Sequence, residues 1–150
     1  MSIILRPATT ADQKPIKDLI HEVGINPMHL DWERFIIAED RGEFVGCVQV
    51  RPHSDGAREL ASLAVIPHRQ GQGIGRRLIE AVLEQEAGEL HLTCRKNLAT
   101  YYEGFGFKEV NGETVPRSFK LALRMARLLA KLGQFEGLAI MKLERPPGRG

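Results

Sequence analysis

The chain has 150 residues, 43% apolar and 27% charged, a length and balance that suit one soluble globular domain and exclude a disordered chain. No apolar run approaches the roughly 20 residues that span a bilayer, and the N-terminus lacks the n- and h-regions of a signal peptide, so a cytoplasmic protein without stable membrane insertion is expected. The net charge of +2 is unevenly spread: residues 116–150 carry eight Lys/Arg against two Asp/Glu, and the rest of the chain thirteen against seventeen. That asymmetry points to an acidic ligand or partner near the C-terminal part. Without aromatic residues interleaved among the cations, it does not point to nucleic acid.

In chain order, Ile3–Arg6 reads as a first strand. Ile16, Leu19, Ile20 and Val23 follow at helical spacing, with Asp12 favoured over Thr9 as the cap because Pro15 then stays in the first turn. Gly24 ends this helix, and Asn26–Trp32 reads as a loop with a short helix. Phe35–Glu39 and Phe44–Arg51 flank the turn Asp40-Arg41-Gly42-Glu43, a hairpin signal. After a turn at Pro52–Gly56 come a strand at Glu59–Ile66, a helix at Ile74–Glu86 and a strand at Leu90–Arg95. His53, His68 and His91 fall at turn or strand-surface positions and receive no role. Ala99–Gly104 reads as a short helix, Phe107–Val110 as a strand and Phe135–Leu143 as the last strand, with a frayed tail beyond it. Hairpins at the flanks and alternation in the middle predict a mixed α/β sheet. Cys47 and Cys94 sit within strands, without CxxC spacing or a His at ligand spacing. They read as reduced packing residues, and no metal is expected.

The most informative stretch runs from Leu63 to Leu78. A strand enters a turn with glycines at 71, 73 and 75, and a helix begins at once. Glycines let the backbone approach a ligand, and a helix N-terminus offers unpaired N–H groups with partial positive charge. Together they make an anion seat, with Arg69, Arg76 and Arg77 nearby. A P-loop is excluded, because GxxxxGK[ST] is absent. The Rossmann fingerprint is excluded by spacing and by the strand's place in the chain.

Gln70-Gly71-Gln72-Gly73-Ile74-Gly75 resembles the Q/R-x-x-G-x-G/A signature of the GNAT N-acetyltransferase superfamily. Leu63-Ala64-Val65-x-Pro67 before it is similar to that superfamily's strand end. Tyr101-Tyr102-Glu103-x-x-Gly106-Phe107 is similar to its later F/Y-Y-E-x-x-G-F element. The resemblance covers roughly residues 3–110 and the final strand. It implies one GNAT domain over 1–150, with a splayed, mostly antiparallel seven-stranded sheet and helices on both faces. Residues 112–133 stand apart as a basic helical insertion.

The same resemblance implies acetyl-CoA as co-substrate and direct transfer of its acetyl group to a primary amine. Leu63, Ala64 and Val65 would meet the pantetheine arm, and Gln70, Gly71, Gln72, Gly73, Ile74, Gly75 and Arg76 the diphosphate. Tyr102 matches the residue that protonates the departing sulfur. Glu59 matches a glutamate that is general base in some branches, although a glutamate at a strand start can equally be a solvated charge. Asn97 lies where relatives often touch the cofactor, or else caps the next helix.

Lys120, Arg124, Arg127 and Lys131 fall on one face of a helix expected at Ser118–Leu132, with Phe119, Leu123, Ala126 and Ala130 offset from it. That face can dock an acidic substrate, an anionic surface or a protein, or be a solvated face on a helix packed over the core or in a homodimer. Trp32 and Arg124 are the candidate acceptor-binding residues. An amino-acid-like amine fits the charge, and a peptide or protein amine is the alternative. From a different class, a CoA-binding module without catalysis is the competing reading.

Overall fold

The computed structural model describes residues 2–133 and 137–145. Seven strands form a sheet in the order β1-β2-β3-β4-β5-β7-β6. In chain order they are β1 (Ile3–Pro7), β2 (Phe35–Asp40), β3 (Glu43–Pro52), β4 (Arg58–Val65), β5 (Leu90–Arg95), β6 (Lys108–Val110) and β7 (Leu138–Leu143). β4 and β5 are parallel, with Glu59 opposite His91. The pairs β1–β2, β2–β3, β5–β7 and β6–β7 are antiparallel. Four helices accompany the strands: α1 (Gln13–Val23), α2 (Ile74–Gln85), α3 (Ala99–Glu103) and α4 (Lys120–Lys131). The architecture is the expected mixed α/β sheet, mostly antiparallel. Its contacts divide the chain into two compact units, Met1–Arg51 with Leu60–Glu86, and Pro52–Glu59 with Ala87–Gly150.

In the first unit, Ile16, Leu19 and Ile20 of α1 form the buried stripe that their spacing demands, packed with Leu30, Phe35, Ile37, Cys47 and Ala64. Asp12 holds the expected N-cap position of α1 but makes no side-chain cap bond to it. Thr9, in extended conformation, precedes a 3-10 turn at Thr10–Asp12 that runs straight into α1. Its amide donates to Asp12 Oδ2 at 2.7 Å. Asp12 is therefore the third member of a capping box, and Arg6 grips the same carboxylate at 2.7 and 3.0 Å. That guanidinium holds Asp12 below the usual carboxylate range.

α2 lies against β3 at Gly46. A Cβ there would meet the Ala64 carbonyl oxygen at 3.0 Å, Leu78 Cδ1 at 3.3 Å and Ile74 Cγ2 at 3.5 Å. Only a glycine lets Ile74, at the start of α2, approach β3 this closely.

In the second unit, β5 buries Leu90, Leu92 and Cys94 as alternation requires, but His91 on its other face is buried too, at 5% exposure. The expected strand-surface position is covered because Phe119 packs there, with ring centroids 5.7 Å apart. Phe119, Val115 and Ile140 form a small core of their own.

α4 departs further from its reading. Phe119 before it and Ala126 within it are buried, whereas Ala130 is exposed. Leu121, Met125, Leu128 and Leu132, one per turn, stand 54–69% exposed. This second apolar stripe points nearly opposite the buried one, and the Lys120, Arg124, Arg127 and Lys131 row runs beside it. The last strand begins at Leu138, and residues 135 and 136 of its expected start lie outside the described residues.

Candidate functional site

β4 leads to the glycine turn through an irregular backbone. Ser62, inside the strand, has φ +56°, a left-handed conformation that typically costs a serine about 1–3 kcal/mol. Its partners hold it there. The Ser62 carbonyl accepts from Cys47 Sγ at 3.6 Å, and its hydroxyl accepts from Gln49 Nε2 at 2.9 Å. Gln49 is fully buried and donates also to the His29 carbonyl, at 3.0 Å. Nothing in the β-pattern of 59–66 signals this left-handed residue; only the buried glutamine on the neighbouring strand hints at a polar partner.

Beyond Val65 the chain makes a 3-10 turn at Pro67–Arg69, and Gln70 Nε2 donates back to the Val65 carbonyl at 3.1 Å. Gly71 and Gly73 have φ +79° and +84°, the left-handed region that favours glycine, and Gly73 is the N-cap of α2. Gln70, Gly71, Gln72 and Gly73 are exposed. The Arg77 amide bonds to the Gly73 carbonyl as helical pairing begins. The amides of Ile74, Gly75 and Arg76 are those a first helical turn leaves unpaired by the helix itself. Ile74 contributes only its amide, because its side chain is 1% exposed in the core.

The three nearby arginines divide. Arg69 Nη2 binds Asp40 at 2.6 Å and its Nε donates to Gln72 Oε1 at 3.2 Å, tying the turn to the end of β2. Arg77 donates to the Ile3 carbonyl at 3.1 Å. Both were expected to add charge for an anion, and both are committed to the fold. Arg76 is exposed and lies 3.9 Å from Glu80. Trp32 is half-buried in a 3-10 turn and lines an open cavity with Gln13, Asp31, Glu33 and Arg34. Gln13 fixes it, donating to the Leu30 carbonyl at 2.6 Å and accepting from the Trp32 amide at 3.1 Å.

The second unit carries Tyr102 and Glu59, the residues expected to move protons. Tyr102 on α3 is 9% exposed, edge-on to Tyr101 and Phe107 at 5.3 and 6.3 Å between centroids. Burial first, then Cys94 and Tyr101, pushes its phenol up to about 12, so it is protonated throughout the neutral range. Cys94 is buried with Sγ 3.8 Å from Met141 Sδ, and burial lifts its thiol to about 11. A thiol so far from ionising is a packing group, not a nucleophile. Asn97 is exposed inside a 3-10 turn at Lys96–Leu98, and Leu98 holds the position before α3, so Asn97 does not cap that helix. Arg124 is exposed on α4.

Glu59 is no solvated charge. It is 7% exposed and Oε1 lies 2.7 Å from His53 Nε2. His53 stacks on Phe119 with centroids 4.6 Å apart and planes 22° from parallel. The His91 ring is tilted 37° to that of Phe119, and its buried Nδ1 is without a hydrogen-bond partner. Burial first, then Lys142, holds His91 below the usual histidine range. Sequence reasoning assigned neither histidine a role. The signal it had was the short His53-to-Glu59 interval, which joins both across one turn.

Residues 31–109, more than half of the chain, match the family model described as an acetyltransferase (GNAT) domain. The chain belongs to the GNAT acetyltransferases. An uncharacterized N-acetyltransferase of Chlorobaculum tepidum is 30% identical over 86 residues, 55% of each chain. The mycothiol acetyltransferase of Rhodococcus jostii is 31% identical over 100 residues, 65% of this chain and 32% of that one. The GNAT chain thus aligns with about half and one third of these relatives' lengths. Among solved structures, Rv2747 of Mycobacterium tuberculosis in complex with CoA and NLQ has TM-score 0.71 at 22% identity, covering 95% of this chain and 99% of that one. N-acetylglutamate synthase of Neisseria gonorrhoeae, complexed with coenzyme A and N-acetyl-glutamate, has TM-score 0.71 at 20% identity, covering 97% and 36%. These likenesses establish a GNAT fold. Among the described residues, no His/Cys/Asp/Glu group could hold a metal, and no helix is long and apolar enough to cross a membrane.

Proposed function

We propose that this GNAT domain transfers an acetyl group from acetyl-CoA to a primary amine by direct attack. The observation that carries the reading is the left-handed Gly71–Gly73 turn opening onto the N-terminus of α2. In it the amides from Gln70 to Arg76 would receive the diphosphate, and the backbone of Leu63–Val65 the pantetheine arm. The acetyl oxygen would accept from a β4 amide near Val65, a contact that strengthens as charge grows on that oxygen.

The proton balance assigns the remaining groups. Glu59 removes one proton from the ammonium, directly or through water, and the neutral amine attacks the thioester carbon. As the C–S bond breaks, Tyr102 gives its proton to the sulfur, and its phenolate recovers the proton that the new amide nitrogen sheds. Products are the acetamide, free CoA thiol and the proton on Glu59.

For the acceptor, the basic C-terminal part and the amino-acid product in the N. gonorrhoeae synthase support an amino-acid-like amine. Trp32 and Arg124 would contact it, and Asn97 the cofactor. A peptide or protein amine is the alternative. The test is release of free thiol from acetyl-CoA across a panel of amino acids, polyamines and peptides. Thiol release above the hydrolysis background with an amino acid is the expected result. Release only with peptides would move the acceptor class, and none with any amine would leave a CoA-binding module.

A further inference from the structure

The insertion at 112–133 enters the acid–base site through a set of contacts that the acetyltransferase reading leaves unexplained. Asp55, in the turn between β3 and β4, accepts from the Ser118 amide at 3.0 Å and from the Ala57 amide at 3.1 Å. The first bond anchors the start of the insertion; the second tightens the turn that carries His53. The turn closes on itself, with the His53 amide donating to the Ala57 carbonyl at 2.8 Å and the Gly56 amide to the His53 carbonyl at 3.1 Å. Phe119, the residue after Ser118, then covers the His53 ring. The result is a half-buried imidazole locked in one rotamer, with Nε2 aimed at the buried Glu59 carboxylate.

We propose that His53 is a positioning residue for Glu59, and that the insertion serves the reaction by seating His53 through Phe119. The proposal rests on the reading of Glu59 as general base. A buried carboxylate has lost the water that would bond its oxygens, and a donor held beside it takes that place. A hydrogen bond from Nε2–H fixes which oxygen faces outward. The other charged groups around this ring are Asp55 in its own turn, His91 on β5 and, beyond His91, Lys142 on β7 with Glu89. Asp55 is occupied by two amides, and burial disfavours the charged form of His91. His53 Nε2 lies 2.7 Å from Glu59 Oε1.

The experiment is the pH dependence of kcat/KM for the wild type, His53→Ala, His53→Gln, Phe119→Leu and Glu59→Gln, on whichever amine the thiol-release panel identifies. His53→Ala should lower kcat/KM at neutral pH at least about tenfold and move the acidic limb to higher pH, with the KM for acetyl-CoA unchanged. His53→Gln, whose side-chain amide can donate in place of Nε2, should return the limb toward its wild-type position. Phe119→Leu should shift it the same way as His53→Ala but less, and it keeps the proposal testable if His53→Ala fails to fold. Glu59→Gln should abolish the limb. An acidic limb that stays in place in both His53→Ala and Phe119→Leu, yet vanishes in Glu59→Gln, overturns the role of His53 and leaves the base intact. An unaltered profile in Glu59→Gln overturns the base itself.

Discussion

Tyr102 and Glu59 are both buried, and the proposed reaction asks opposite things of them: one gives a proton, the other takes one. For the phenol, losing water favours the neutral, protonated form, which is the state a proton donor needs before the sulfur departs. The carboxylate has His53 Nε2 2.7 Å from its Oε1. The residue types at 59 and 102 were readable because they sit in a recognisable order with the glycine turn. Their partners were not. His53 and His91 gain meaning only when Phe119, distant in sequence from both, packs against their rings. Ser62 likewise depends on Gln49 and Cys47 of another strand. At this scale the account expects Tyr102→Phe to reduce kcat by about 10²–10⁴-fold while acetyl-CoA affinity holds, measured by steady-state thiol release and calorimetry. Full turnover in that variant would remove the acid role.

Elements were more legible than residues, because hydrophobic period and turn chemistry are local. The α1 stripe, the hairpin at Asp40–Glu43, the α2 start and β5 all fall within a residue or two of their expected places. What stayed hidden shares one cause. Asp12, Arg69 and Arg77 were read from their neighbours in sequence, whereas each also has a partner brought in by the fold: Arg6, Asp40 and the Ile3 carbonyl. α4 was read as a basic face with an apolar one offset from it, but eight of its twelve residues are apolar, and such a pattern cannot distinguish two apolar stripes from one until the buried side is known. Gly46 shows how an element depends on one atom that is missing. Gly46→Ala would press a methyl against the Ala64 carbonyl at 3.0 Å and displace the start of α2. We expect a loss of about 1–3 kcal/mol of stability, read by urea unfolding, together with weaker acetyl-CoA binding. A variant as stable as the parent would show that α2 can shift freely.

For the molecule as a whole, sequence and structure agree on a GNAT sheet and leave the assembly open. The exposed Leu121, Met125, Leu128 and Leu132 stripe on α4 has its cations beside it rather than across it. The central claim concerns the turn at 70–76 and is tested most directly by titrating the protein with acetyl-CoA and, separately, with acetyl-pantetheine, which has the same thioester but no diphosphate. If those amides hold the diphosphate, two or more charge-assisted hydrogen bonds are lost in the shorter compound, and its affinity should be weaker by about a hundredfold or more. Equal affinity for the two compounds, or no heat from acetyl-CoA at all, would contradict the account.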